Sequence, residues 1–190
     1  MSIILKESER LNKSIAEFLR FVRPQDKRTA EFDIAASLSE TLDLLANSPE
    51  LGPDHKIERH IAPSSFTIVG DSDQIRQVFW NLARNAFQAM PGGGLLRVST
   101  DVDADSYRIF FSDSGRGMSE VDQRRLFQPF RTNFPSGTGL GMAISYRIVQ
   151  AHGGEIDVSS RPGAGTTITV SLPRKVVSES RGFAVAQRSA

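Results

Sequence analysis

An α+β sandwich, two layers with a mixed and mostly antiparallel sheet, is the fold class that this sequence predicts. Helical and strand periodicities are interspersed along the chain, and the late strand-like runs are joined by short turn sequences such as "DADS" and "RPGAG". One helix, "SDQIRQVFWNLARNAFQAM", carries an apolar stripe strong enough to cover a sheet.

Residues 3–22 place Ile4, Leu11, Ile15, Phe18, Leu19 and Val22 largely on one helical face, so a long amphipathic helix is expected, ending before Pro24. It is too long and too charged outside to be buried alone and calls for another helix as partner, in a second chain or in a segment upstream. A linker over 25–30 leads to a short strand around Phe32, then to the helix "SLSETLDLLANS" with its cap at Ser37 or nearby. "HKIERHI" alternates as a strand, and "SFTIVG" runs into Asp71, a natural cap for the helix that follows. In that helix Ile75, Val78, Phe79, Leu82, Ala86, Phe87 and Met90 form the core stripe. After "PGGG" come two strands, "LLRVSTDV" and "YRIFFSD", then a helix ending near His152, then "EIDVSS" and "TTITVSLP". The domain is expected over 31–174, with 1–24 as the helical appendage and 175–190 as a ragged tail.

Composition limits the functional classes. The 190 residues carry 23 Lys plus Arg against 22 Asp plus Glu, a net charge of +1 that points to no nucleic acid or membrane surface. No cysteine is present, which excludes disulfides and thiolate metal sites and suits a cytoplasmic setting. No apolar run approaches the roughly 20 residues that cross a bilayer, and "MSIILKESER" turns charged too early for a signal peptide.

Three stretches carry chemistry. "GTGLGMAIS" starts a helix on glycines, which suits either a simple turn or an anion held by the free N–H groups of the helix start. Asn81 and Asn85 lie one turn apart on an otherwise apolar helix. Their amides need partners, either backbone groups or a magnesium ion with phosphate oxygens. In "FFSDSGRGM", Asp113 ends an apolar strand beside Gly115 and Gly117, as an Asx-type turn or as an acceptor for an exocyclic amine. His55, His60 and His152 have no metal-ligand spacing and suit surface or packing roles. Trp80 is read either as core or as packing against the N-terminal helix or linker.

Taken in order, Asn81 and Asn85, "DSGRGM", "LFQPF", "GTGLGM" and "GAGTTITVSLP" resemble the ATP-binding catalytic domain of bacterial sensor histidine kinases, within the GHKL superfamily, over about residues 31–173. The resemblance implies the Bergerat ATP-binding fold, with ATP and Mg2+ as ligands. It makes Asn85 the magnesium ligand, with Asn81 helping to hold the phosphates and Arg84 a possible source of phosphate charge. Asp113 would bind the adenine amine, with Gly115, Gly117 and Met118 against the base and Thr166 closing the pocket. Thr138, Gly139, Leu140, Gly141 and Met142 would form the phosphate loop, under a lid over 131–138 that is mobile when empty. Related lids carry Thr-Thr-Lys after the Pro-Phe pair; here stand Thr132, Asn133 and Phe134, so Arg131 is the nearest substitute cation. Many members also carry Lys and Tyr where Gln88 and Ala89 stand.

"ESERLNKSIAEFLRFVRP" resembles the second helix of the phosphoacceptor hairpin in kinases of the nitrogen-regulation class. The resemblance thus implies a chain that begins within that hairpin and lacks the acceptor histidine, and so does not phosphorylate itself. Its implied partners are the hairpin of the same or a partner subunit, a response-regulator receiver domain and a second copy in a homodimer. A serine kinase of the anti-sigma-factor type and a nucleotide-dependent interaction module remain rival readings.

Overall fold

The computed structural model describes residues 29–48, 51–103, 106–132 and 137–174. The amphipathic helix expected over 3–22, the tail and the centre of the lid lie outside the described residues.

Strand β1 (Ala30–Asp33) pairs antiparallel with β3 (Thr67–Gly70), Ala30 opposite Gly70. Helix α1 (Ile34–Ala46) follows β1 directly. Its cap is Asp33, not Ser37 as expected: the Asp33 carboxylate accepts the N–H groups of Ala35 at 2.9 Å and Ala36 at 3.1 Å, and that of Phe66 at 3.2 Å. A carboxylate already satisfied by strand neighbours starts the helix earlier, and Ser37 ends up buried inside it.

Helix α2 (Ser72–Ala89) is capped as expected, Asp71 accepting from Asp73 and Gln74 at 3.1 Å each. Its stripe Ile75, Val78, Phe79, Leu82, Ala86 and Phe87 is buried, followed by Met90. Removing one large apolar side chain of this kind, such as Phe79, from water stabilises the fold by about 1.5–3 kcal/mol. Trp80 is half-buried and packs on the core.

Among the described residues the main sheet has five strands: β2 (His55–His60), β4 (Gly94–Val102), β5 (Ser106–Asp113), β7 (Thr166–Pro173) and β6 (Glu155–Ser160), in that spatial order. Only β2 with β4 is parallel. Leu96, Val98, Tyr107, Ile109, Phe111, Ile168, Val170 and Leu172 alternate onto the buried face. Helix α2 packs on β4 and β5, between α1 and helix α4 (Gly141–Ala151), which leans on β6. The short helix α3 (Glu120–Arg125) lies beside β6.

His152 caps α4 and is buried. Its Nδ1 donates to the Ile148 carbonyl at 2.7 Å and its Nε2 accepts the Asp71 N–H at 3.0 Å, so the ring joins the end of α4 to the start of α2. A Cβ on Gly70 would stand 2.5 Å from its Cδ2, which leaves no room for any other residue there. His55 is half-buried, with Nε2 on the Met90 carbonyl at 2.9 Å and its ring edge on Phe87, while His60 is exposed. All three therefore serve packing or surface, as expected. No described helix is long and apolar enough to cross a membrane.

Candidate nucleotide site

A cavity of about 290 Å³ opens between α2, α3, the start of α4 and the adjoining ends of β5 and β7. Asn81, Arg84, Asn85 and Gln88, at helical spacing along α2, form its floor. Asn81 adjoins Gly141 at the start of α4, whereas Ala89 adjoins Gly115 beyond Asp113. Eight residues of helix separate these two ends by about 12 Å.

At the α4 end, the Asn81 Nδ2 donates to the Gly141 carbonyl at 3.2 Å and reaches the Ser145 Oγ at 3.3 Å. A carbonyl can only accept, so the amide orientation is fixed by its partners. Both amide hydrogens are thus engaged within the protein, and Oδ1 is the group left to meet a ligand. This alters the expectation that Asn81 holds phosphates, because an amide oxygen suits a cation or its water instead. Asn85 has no side-chain hydrogen bond among the described residues. Among the described residues no side chain caps helix α4, so its first N–H groups are without the usual partner there.

Gly139 has φ 71°, and a Cβ there would lie 2.6 Å from the Arg131 nitrogen. The fold itself therefore requires this glycine. Gly141 differs: a Cβ would make only ordinary contacts, with Asn81 Cγ at 3.7 Å. Leu140 has its side chain in the core, so only its backbone belongs to the loop, and its N–H points to the Thr138 Oγ1 at 3.4 Å.

At the other end, Asp113 accepts the Gly115 N–H at 2.8 Å. The Asx turn weighed for this residue therefore exists, and the carboxylate lines the cavity as well. Burial pushes the Asp113 carboxyl above the usual range, partly offset by the N–H groups of Gly115 and Thr166. A half-desolvated carboxylate of this kind favours a donor such as an amine. Gly117 (φ 65°) touches the β6–β7 turn so closely that a Cβ would fall 1.9 Å from the Arg161 carbonyl oxygen. Gly115 holds the turn but does not itself line the cavity; Met118 and Thr166 do.

Four arginines, Arg84, Arg116, Arg125 and Arg131, line the cavity against two carboxylates, Asp113 and Asp122. The balance favours an anion. Arg116 and Leu126 stand inside the quoted "DSGRGM" and "LFQPF" stretches but were given no role of their own, and Arg125 was not picked out, because nothing in the sequence distinguishes it from a solvated residue. Phe130 also lines the cavity, with φ 61°, an uncommon conformation for an aromatic residue. No group of three or more His, Cys, Asp or Glu able to hold a metal occurs among the described residues. The amide oxygens fit Mg2+ only together with phosphate oxygens, the usual manner for that ion.

Residues 70–176 match the family described as histidine kinase-, DNA gyrase B-, and HSP90-like ATPase. The signal transduction histidine-protein kinase AtoS of Escherichia coli (strain K12) is 36% identical over 177 residues, 91% of this chain and 28% of AtoS. Sporulation kinase E of Bacillus subtilis (strain 168) is 34% identical over 95% of this chain and 24% of its own length. The chain thus spans about a quarter of these relatives. Among solved structures, full-length ShkA in complex with AMPPNP superposes with a TM-score of 0.75 at 27% identity, covering 92% of this chain and 38% of ShkA. The mycobacterial sensor histidine kinase MprB gives 0.67 at 25%, covering 76% and 97%. With the fold, the cavity and this match in agreement, the chain belongs to the histidine kinase-, DNA gyrase B- and HSP90-like ATPase family.

Proposed function

We propose that this chain is the ATP-binding catalytic part of a sensor histidine kinase. It moves the γ-phosphoryl group of ATP to a histidine on a helical hairpin, for relay to an aspartate of a response regulator. The observation that carries the reading is the pairing, about 12 Å apart along α2, of a glycine helix start without a side-chain cap among the described residues and a half-buried carboxylate, in one arginine-lined cavity. That span suits a nucleotide, with phosphates at Gly141 and the base at Asp113. The histidine-kinase names of its relatives and the nucleotide analogue bound to ShkA favour the same ligand.

In this reading Asp113 accepts the adenine amine, and Met118 and Thr166 flank the base. The N–H groups of Gly141 and Met142 meet the phosphates along the dipole of α4. Mg2+, when bound, neutralises charge on the phosphate oxygens, and Asn85 with the Asn81 Oδ1 would hold it. Arg131 adds positive charge where related lids carry lysine, and Arg84 adds it from α2. The bond from the γ-phosphorus to the ADP oxygen breaks as the bond to the acceptor nitrogen forms, so catalysis is mainly positioning and charge stabilisation. The hairpin comes from the same subunit or from its partner in a homodimer.

Calorimetric titration with ATP, with and without Mg2+, tests the reading. Saturable, metal-dependent binding is expected, and Asn85→Ala should reduce the metal dependence. Absence of binding in a folded sample would falsify the proposal.

A further inference from the structure

We propose that Gln123 is a positioning residue for the nucleotide site, docking α3 on the edge of the sheet so that this helix forms one wall of the cavity. The inference rests on the nucleotide reading above. Helix α3 has six residues and buries none of them, so neither its length nor an apolar face of its own explains its place, although Leu126 and Phe127 just beyond it pack on the core. Gln123 supplies the attachment. Its Nε2 donates to the Ser160 carbonyl at 3.0 Å, and its Oε1 accepts the Ser160 N–H at 3.2 Å. The carboxamide thus pairs with the last residue of β6 as a neighbouring strand would, since it offers the same donor and acceptor as a peptide group. Its Nε2 also reaches the Met118 carbonyl at 3.4 Å.

The attachment leads straight into the site. The Ser160 Oγ accepts the Met118 N–H at 2.9 Å, contacts the Thr166 Oγ1 at 2.9 Å and reaches the Gly165 carbonyl at 2.9 Å. Met118 and Thr166 line the cavity next to Asp113. Asp122 and Arg125 on α3, with Leu126 at its C-terminal cap, share one face and line the cavity, while Gln123 does not. Gln123 therefore fastens the outer side of a wall whose inner side meets the ligand.

The test compares the parent chain with Gln123→Met, which keeps the length but removes every hydrogen bond, and Gln123→Glu, which keeps the acceptor and loses the donor. Arg124→Ala, at an exposed position on the same helix, is the control. Affinity for Mg-ADP is measured by calorimetry well below each melting midpoint, and amide exchange over residues 120–128 is followed without nucleotide. Gln123→Met is expected to bind about tenfold more weakly and Gln123→Glu about threefold, with faster exchange in both and no change in Arg124→Ala. Faster exchange with unchanged affinity would reduce Gln123 to a structural contact and overturn the proposal, as would unchanged exchange. A parent chain that fails to bind Mg-ADP overturns the nucleotide reading and this role together, whereas normal parent binding with unaltered variants overturns only the role of Gln123.

Discussion

Asp113 and Gly141 show at single positions how a ligand site differs from an optimised fold. Burial raises the Asp113 carboxyl above its ordinary value, so its folded value exceeds its unfolded one. Such a group favours the folded state below the unfolded value, and that benefit is lost as pH rises through the folded one. In its ionised form the carboxylate is therefore a cost to the folded protein. Asp113→Asn is expected to leave the melting temperature unchanged or raise it while removing adenine affinity, as calorimetry with and without ADP will measure. Gly141→Ala should behave alike, because its Cβ meets only ordinary contacts and alanine suits a helix better by about 0.5–1 kcal/mol. A lower melting temperature for Gly141→Ala would mean that the fold, not the ligand, demands the glycine.

At the scale of elements, helix α4 is fastened at its far end and open at its near one. His152 holds the fastened end through two hydrogen bonds and close packing on Gly70. His152→Ala should therefore cost about 2–4 kcal/mol in urea unfolding, through lost bonds and a cavity. Less than about 0.5 kcal/mol, the range of ordinary surface changes, would remove His152 from this role. Periodicity made the main elements legible, α2 above all, since its stripe and the Asp71 cap agree. The start of α1 was not, because Asp33 looks like a strand residue until Phe66 is seen beside it. The docking of Gln123 on Ser160 was illegible for the same reason: a glutamine on an exposed helix is ordinary, and its partner stands 37 positions away. Within the site, residues on local motifs were legible, Arg84 and Arg131 among them, whereas the places of Arg116 and Arg125 and the orientation of the Asn81 amide were not, because only tertiary partners define them.

For the molecule as a whole, acid acts on Asp33 in the opposite sense to Asp113. Burial raises the Asp33 carboxyl, but bonds from Ser65 and from the N–H groups of Ala36, Phe66 and Ala35 outweigh this and hold it below the usual value. Its contribution is complete above the unfolded value and is lost as pH falls through the folded one. Asp33→Ala should thus lower stability at neutral pH and flatten the loss of stability in acid, as melting curves across pH 2–7, spanning the ordinary carboxylate range of about 4, will report. A histidine-kinase reading also predicts that this chain does not label itself. Both nitrogens of His152 are engaged, His55 is held against Met90, and His60 lies on a sheet edge. Incubation with radiolabelled ATP is expected to give no acid-labile, base-stable label; label on any of the three would sink that expectation.

The order of strands bears on how the chain assembles. The β4–β5 and β6–β7 pairings join near neighbours in sequence and can form early, whereas β5 must find β7 across the whole of α3 and α4. Asp113 comes opposite Thr166 only in that distant pairing. The base end of the cavity is therefore created by a late, non-local step, and a folding intermediate holding both hairpins would have the helices of the site but no place for adenine. Nucleotide present during refolding would then leave the early steps untouched and act only after β5 and β7 have met, slowing escape from the finished fold without hastening the approach to it.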